Sequence, residues 1–226
     1  MLVRNWMTTD VVSVGPDTSM LKIGKILREK NIRRLPVVDK DGVLIGIVSD
    51  RDVRDASPSK ATTLDMYEMN YLLAEIKARE IMTSHPCTIR ATDSVDRAAM
   101  LMIDKKIGGL PVVDEKNHLV GIITEQDVFN ALVEITGARE GGIQIGIEIP
   151  NQPGAMKPIF DLIRLHGARI LTVLSTNNHS GNRHVFIRLR EISDEGQLTA
   201  LLEDVGEKAT LLYWATDDGH FSCTES

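Results

Sequence analysis

A chain of 226 residues with 42% hydrophobic content is long enough for one or two cored domains and too apolar for a disordered segment. Its net charge of −6 argues against nucleic acid or an anionic membrane surface as a partner. Neither part carries a basic field, since residues 1–142 hold 19 basic and 21 acidic side chains and residues 143–226 hold 7 and 11. Two cysteines, Cys87 and Cys223, imply no disulfide framework and fit a reducing compartment; with no N-terminal signal peptide and no long apolar span, a soluble cytoplasmic protein is expected.

Taken in order, residues 1–10 are a short lead and Val11 to Val14 a brief β-like run. Asp17-Thr18-Ser19 offers helix N-caps, after which Met20, Ile23 and Leu27 share one helical face. Leu35 to Val38 reads as a buried strand, Lys40-Asp41-Gly42 as a turn and Val43 to Val48 as its hairpin partner, with Ser49 opening a second helix. This β-α-β-β-α unit recurs. A shift of 75 residues aligns Met7–Ala56 with Met82–Ala131 without a gap and with 16 identities in 50 pairs, so two copies are expected to pack about a pseudo-two-fold axis. Between them Ser57-Pro58-Ser59 breaks the chain, and Leu64 to Ile76, with Tyr67, Leu72, Leu73 and Ile76, reads as a connecting helix.

Thr136 to Gly142 has the paired glycines and charge of a linker. A different unit follows: a strand at Ile143–Ile149, a loop at Asn151-Gln152-Pro153-Gly154, and a helix at Met156–Leu165 closed by His166-Gly167. Then come a strand at Ala168–Ser175, an alternating strand at Arg183–Arg190, a helix capped by Ser193-Asp194 that ends near Gly206, and a last strand at Lys208–Trp214. The order is the split β-α-β-β-α-β of ferredoxin-like folds. The domain boundaries read 1–56, 57–78 for the connecting helix, 79–135, 136–142 for the linker, 143–216, and 217–226 for a tail.

Ser49-x-x-Asp52 and Thr124-x-x-Asp127 each follow a strand and start a helix. One reading is a capping box. The other gives the acid to two ribose hydroxyls and the Ser or Thr hydroxyl and helix N-terminus to a phosphate, while Gly46 and Gly121 leave room for a ring; both readings can hold together. Arginines break the symmetry: Arg33-Arg34 aligns with Gly108-Gly109, Arg51 with Gln126 and Arg54 with Phe129. They suit either a solvated surface or a phosphate clamp around Asp52, since guanidinium forks match phosphate oxygens. His85, His118, His166, His179, His184 and His220 follow no metal-site spacing, so no metal is expected; no nucleophile motif or Walker A sequence occurs, and Tyr213 and Trp214 suit a sheet edge or interface.

The run Leu35-Pro36-Val37-Val38-Asp39 followed by Gly46-Ile47-Val48-Ser49-x-x-Asp52, its copy from Leu110 to Asp127, and the leads Met7-Thr8 and Met82-Thr83 together resemble the cystathionine β-synthase (CBS) domain family. The resemblance implies an α+β fold, a CBS pair (Bateman module) with two adenosine-type ligand clefts, and Asp52 and Asp127 as ribose acceptors. It places Arg33 near ligand phosphates, Pro86 and Cys87 beside the base in the first cleft, and Val11 and Val12 beside it in the second. Arg34, Ile47, Ser49, Arg51 and Thr124 complete the expected nucleotide-binding set. Asn151-Gln152-Pro153-Gly154 resembles the ACT-domain loop, which in that family contacts an amino acid. Two CBS domains followed by an ACT domain, with Ser49 to Pro58 and the Thr136-Gly137-Ala138 linker, resemble the bacterial B-type acetoin utilisation family. The expected function is a non-catalytic, homodimeric regulator that senses AMP- or ATP-type ligands, acts on a protein partner and needs no catalytic cofactor. The alternatives are an amino-acid-sensing ACT regulator with the CBS pair as scaffold, and an enzyme using a CBS cleft.

Overall fold

The computed structural model describes residues 1–57, 66–178, 180–192, 194–216 and 221–223. The expected breaker at Pro58-Ser59, the start of the connecting helix at Leu64, the Tyr67 side chain, His179, Ser193 and His220 lie outside what is described. Two compact units appear, Met1–Phe129 and Asn130–Ser226.

In the first unit, Ser19 caps α1 (Met20–Glu29) by accepting from the Lys22 amide at 3.4 Å, and Met20, Ile23 and Leu27 are buried as the spacing predicts. β1 (Arg34–Val38) pairs antiparallel with β2 (Leu44–Ser49), and α2 (Asp50–Asp55) follows. After α3 (Met66–Glu75), α4 (Ala78–Ile81) and β3 (Thr83–Ser84), the second copy supplies α5 (Val95–Lys105), β4 (Gly109–Val113), β5 (Leu119–Thr124) and α6 (Glu125–Ile135). The 75-residue shift preserves register. Leu35 faces Val48 and Leu110 faces Ile123, with a bulge at Val38 and again at Val113. The brief β run at Val11–Val14 is a single parallel bridge, Val14 to Val37, repeated as Ile89 to Val112. Leu35, Val37, Val48, Leu110, Val112 and Ile123 are fully buried, each contributing roughly 1.5–3 kcal/mol.

The two copies exchange their leads. Thr83 of the second copy pairs with Ile47 in the first, and Thr8 of the first pairs with Ile122 in the second through reciprocal 2.9 Å hydrogen bonds. This exchange gives Gly46 and Gly121 a different task from the ring space read in the sequence. A Cβ at Gly46 would collide with the Met82 thioether, and one at Gly121 with Met7. Each glycine admits the other copy's methionine, whose flexible chain fills the remaining gap. The hairpin turns are also joined: the Leu44 amide donates to Asn117 O at 3.0 Å and the Leu119 amide to Gly42 O at 3.2 Å.

The second unit comprises β6 (Ile143–Ile149), α7 (Lys157–Leu165), β7 (Arg169–Asn177), β8 (Arg183–Arg190), α8 (Glu195–Gly206), β9 (Thr210–Thr216) and β10 (Phe221–Cys223), with strand order β10-β9-β6-β8-β7. Ile145, Ile147, Val185, Ile187 and Leu189 meet Ile159 and Ile163 of α7 and Leu201 and Val205 of α8 in one core. Asp194 caps α8 by accepting from the Gln197 amide at 2.9 Å. Phe221–Cys223, read in the sequence as tail, pairs with β9, so Tyr213 and Trp214 do not stand at an open edge. The Tyr213 ring covers Gly146, where a Cβ would strike it, and Trp214 packs against the core.

The Gly141-Gly142 stretch, read as part of the linker, is held within the second unit. Buried Arg188 donates from Nε to Thr136 O at 3.0 Å and from Nη1 to Gly141 O at 3.4 Å, Thr172 Oγ1 donates to Thr136 O at 3.2 Å, and a Cβ on Gly142 would strike Leu189 O. At the other end of β6 polar side chains are also committed. Glu148 accepts from Asn182 Nδ2 at 2.8 Å and lies 3.0 Å from His184 Nε2, contacts that hold its carboxyl below the usual carboxylate range.

Candidate functional site

The first unit contains two cavities related by the 75-residue repeat. In the larger, about 820 Å³, the end of β2 and the first turn of α2 bring Ile47, Ser49, Arg51 and Asp52 together; Pro86 and Cys87 approach from the segment after β3, Arg33 from the turn after α1 and Arg34 from the start of β1. Every residue expected in the first cleft lines this cavity. In the smaller, about 550 Å³, Val11 and Val12 face Thr124 and Asp127, again as expected, and Arg33 and Arg34 line this one too. Asn151 to Gly154, the expected amino-acid loop, is exposed, with Gly154 in the left-handed region at φ 84°, and lines neither cavity.

Both acids make the caps that the sequence allowed. Asp52 Oδ2 accepts from the Ser49 amide and hydroxyl, each at 2.7 Å, while Ser49 Oγ accepts from the Asp52 amide at 3.3 Å. Asp127 Oδ2 accepts from the Thr124 amide and hydroxyl, again at 2.7 Å each. In each carboxylate one oxygen holds the helix start. Oδ1 makes no hydrogen bond among the described residues and is left as an acceptor for a ligand hydroxyl. The structural and the binding reading therefore use different oxygens of the same side chain.

The arginines divide into two kinds. Arg34 is committed to the protein: its Nη1 donates to Gly108 O, and its guanidinium fills the space a Cβ would need at Gly108 or Gly109. Burial lowers its pKa, with Glu125 acting in the opposite direction. This explains the Arg33-Arg34 to Gly108-Gly109 asymmetry. Positions 34 and 109 share one space, so a large side chain at one demands glycine at the other. Arg54 forms an exposed i,i+4 pair with Asp50 at 3.3 Å, worth little in water. Arg33 and Arg51 are exposed at the cavity wall.

Two cations were not anticipated from the sequence. Lys105 and Lys106, at the end of α5, line the larger cavity opposite the residues of the first copy. Lys106 sits in the left-handed conformation (φ 54°, ψ 44°), and its repeat partner Asn31 does the same at φ 51°. Asparagine adopts that backbone at lower cost than lysine. Lys106→Asn is therefore expected to raise unfolding free energy by about 0.5–1 kcal/mol in chemical denaturation. A drop in stability would show that the lysine side chain holds the turn. The signal for both residues was a charged helix end, which in isolation reads as a solvated face. Among the described residues no group of three His, Cys, Asp or Glu is placed to hold a metal ion, and no helix is long and apolar enough to cross a membrane.

Chemically, the larger cavity combines hydroxyl acceptors on one wall with basic side chains from both copies, suited to a ligand that is part polyol and part anion. Comparison with known proteins fits this geometry. The CBS domain model matches residues 3–59 and 78–134. A CBS domain-containing protein of Dictyostelium discoideum is 37% identical over 134 residues, covering 59% of this chain and 92% of that protein. The structure of CBSX2 from Arabidopsis thaliana in complex with AMP is 32% identical with a TM-score of 0.50, covering 59% of this chain and 97% of that one. A Vibrio cholerae protein assigned to acetoin utilization is 27% identical with a TM-score of 0.51, covering 62% and 96%. The chain belongs to the CBS-domain family.

Proposed function

We propose that this protein is a non-catalytic regulator that senses adenine nucleotides through its CBS pair. The observation that carries the reading is the larger cavity itself, where Asp52, with one carboxylate oxygen unbonded among the described residues, lines the same space as Arg33, Arg51, Lys105 and Lys106. Asp52 takes the ribose hydroxyls, Arg33 and Arg51 take phosphate, Ser49 and Ile47 line the floor, and Pro86-Cys87 lie beside the base. Asp127, Thr124, Val11 and Val12 play the matching parts in the smaller cavity. Arg34 shapes the wall between the copies and is not a ligand clamp. A related CBS pair, CBSX2, holds AMP, which supports an AMP- or ATP-type ligand here.

The second unit, with its split β-α-β order, is proposed to be an ACT domain, and likeness to the Vibrio cholerae protein supports a role linked to acetoin metabolism. A cytoplasmic location suits two cysteines without a disulfide framework. A sensor without chemistry of its own acts by changing a partner protein. Isothermal titration with AMP, ATP, adenosine and the common amino acids tests the reading. Heat with nucleotides supports it; heat with an amino acid alone supports ACT-driven sensing, and turnover of the added ligand supports an enzyme.

The protein is also proposed to be a homodimer. On α5, Met100 and Ile103 are 55% and 74% exposed, and Phe129 on α6 is 60% exposed. Their counterparts in the first copy are Lys25, Arg28 and Arg54. Among the described residues the helices of the second copy thus present the larger exposed apolar surface, which a second chain can cover by two-fold symmetry. Light scattering is expected to give twice the monomer mass at micromolar concentration, and Ile103→Lys to give the monomer. A wild-type monomer would rule the dimer out.

A further inference from the structure

The two cavities do not have independent walls. Arg33, Arg34, Gly108 and Glu125 line both. Setting these aside, the larger cavity keeps four cations of its own, Arg51, Arg54, Lys105 and Lys106, against Asp50 and Asp52. The smaller keeps none, against Asp10 and Asp127. Any anion entering the smaller cavity must therefore use a shared arginine. Arg34 is tied to the Gly108 carbonyl and packed against Gly108-Gly109. Arg33 is exposed, and its guanidinium has no hydrogen-bond or ion-pair partner among the described residues.

We propose that the two cavities compete for the single guanidinium of Arg33. A phosphorylated ligand in the Asp52 cavity and one in the Asp127 cavity then oppose each other, whereas an uncharged adenosine fills each independently. The inference rests on the adenosine-ligand reading given above. Its physical basis is that one guanidinium fork cannot make the same bidentate contact with two phosphates in two cavities. Whichever ligand arrives second does without a charge-assisted contact, a loss of about tenfold in affinity. The larger cavity, with its own basic side chains, fills first. Occupancy of the smaller by a nucleotide is then suppressed while occupancy by a ligand without phosphate is not, so the pair distinguishes charge states of one ligand class.

Titration calorimetry at about 0.15 M salt, where exposed charges beyond roughly 8 Å are screened, tests this. AMP and adenosine are titrated into the full chain, into Asp52→Ala to isolate the smaller cavity, and into Arg33→Ala. Asp52→Asn, which retains a capping oxygen, replaces Asp52→Ala if that variant melts early. The weaker AMP step of the wild type is expected to be about tenfold weaker than AMP binding to Asp52→Ala. Adenosine should show no such gap, and the AMP gap should vanish when Arg33→Ala is combined with the same comparison. Equal AMP affinities in wild type and Asp52→Ala, a gap that survives Arg33→Ala, a gap also seen with adenosine, or no AMP binding by Asp52→Ala each overturn the proposal. Absence of heat with both ligands in the wild type removes instead the nucleotide reading on which it rests.

Discussion

Gly46→Val is expected to lower the unfolding free energy by about 3 kcal/mol, although valine suits a strand and no left-handed backbone is involved at this position. The cost is steric and comes from the other copy: the new side chain enters the space of the Met82 thioether, which arrives with the exchanged lead. Overpacking of this kind displaces either the methionine or β3, and β3 is only two residues long. Removing the obstacle should restore part of the loss, so Gly46→Val with Met82→Ala is expected to be more stable than Gly46→Val alone. A double-mutant cycle by denaturant unfolding measures this coupling. Strict additivity would mean that the glycine serves some other end. Gly121 and Met7 form the symmetric pair and should behave alike.

Asp52→Ala is expected to weaken AMP, ATP and adenosine binding in the larger cavity by at least tenfold, because the ribose is common to all three. The same substitution removes the acceptor for the Ser49 amide and hydroxyl, with a stability cost of about 1 kcal/mol typical of a lost cap. The two effects are separable. Asp52→Asn keeps a neutral oxygen for the cap but loses the carboxylate, so it should melt close to the wild type while binding nucleotide weakly. If Asp127→Ala, and not Asp52→Ala, abolishes tight binding in a folded protein, the smaller cavity is the principal site.

Much of this was legible because local chemistry and global fold agree. Ser49-x-x-Asp52 and Thr124-x-x-Asp127 announce helix starts through short-range hydrogen bonds, and the structure makes those bonds at matching distances. The 75-residue shift carried the registers of both hairpins, since buried aliphatic positions fix which face each strand turns inward. What escaped depends on partners far along the chain. Nothing near Met82 says that it lies on Gly46, and nothing near Gly108-Gly109 says that Arg34 occupies their space. β10 is only three residues, too short to show a period. Lys105 and Lys106 became part of the cavity only when the copies closed on each other, and the Gly141 carbonyl is held by Arg188, two strands further along the chain.

Hydrogen exchange on the full chain with and without saturating AMP tests the central claim most directly, because it reports where the ligand sits as well as whether it binds. The expected result is slowed exchange at the amides of Ser49 to Asp52 and from Thr83 to Cys87, with residues 143–216 unchanged. Unaltered exchange around both cavities at saturating AMP, or protection confined to residues 143–216, would contradict it.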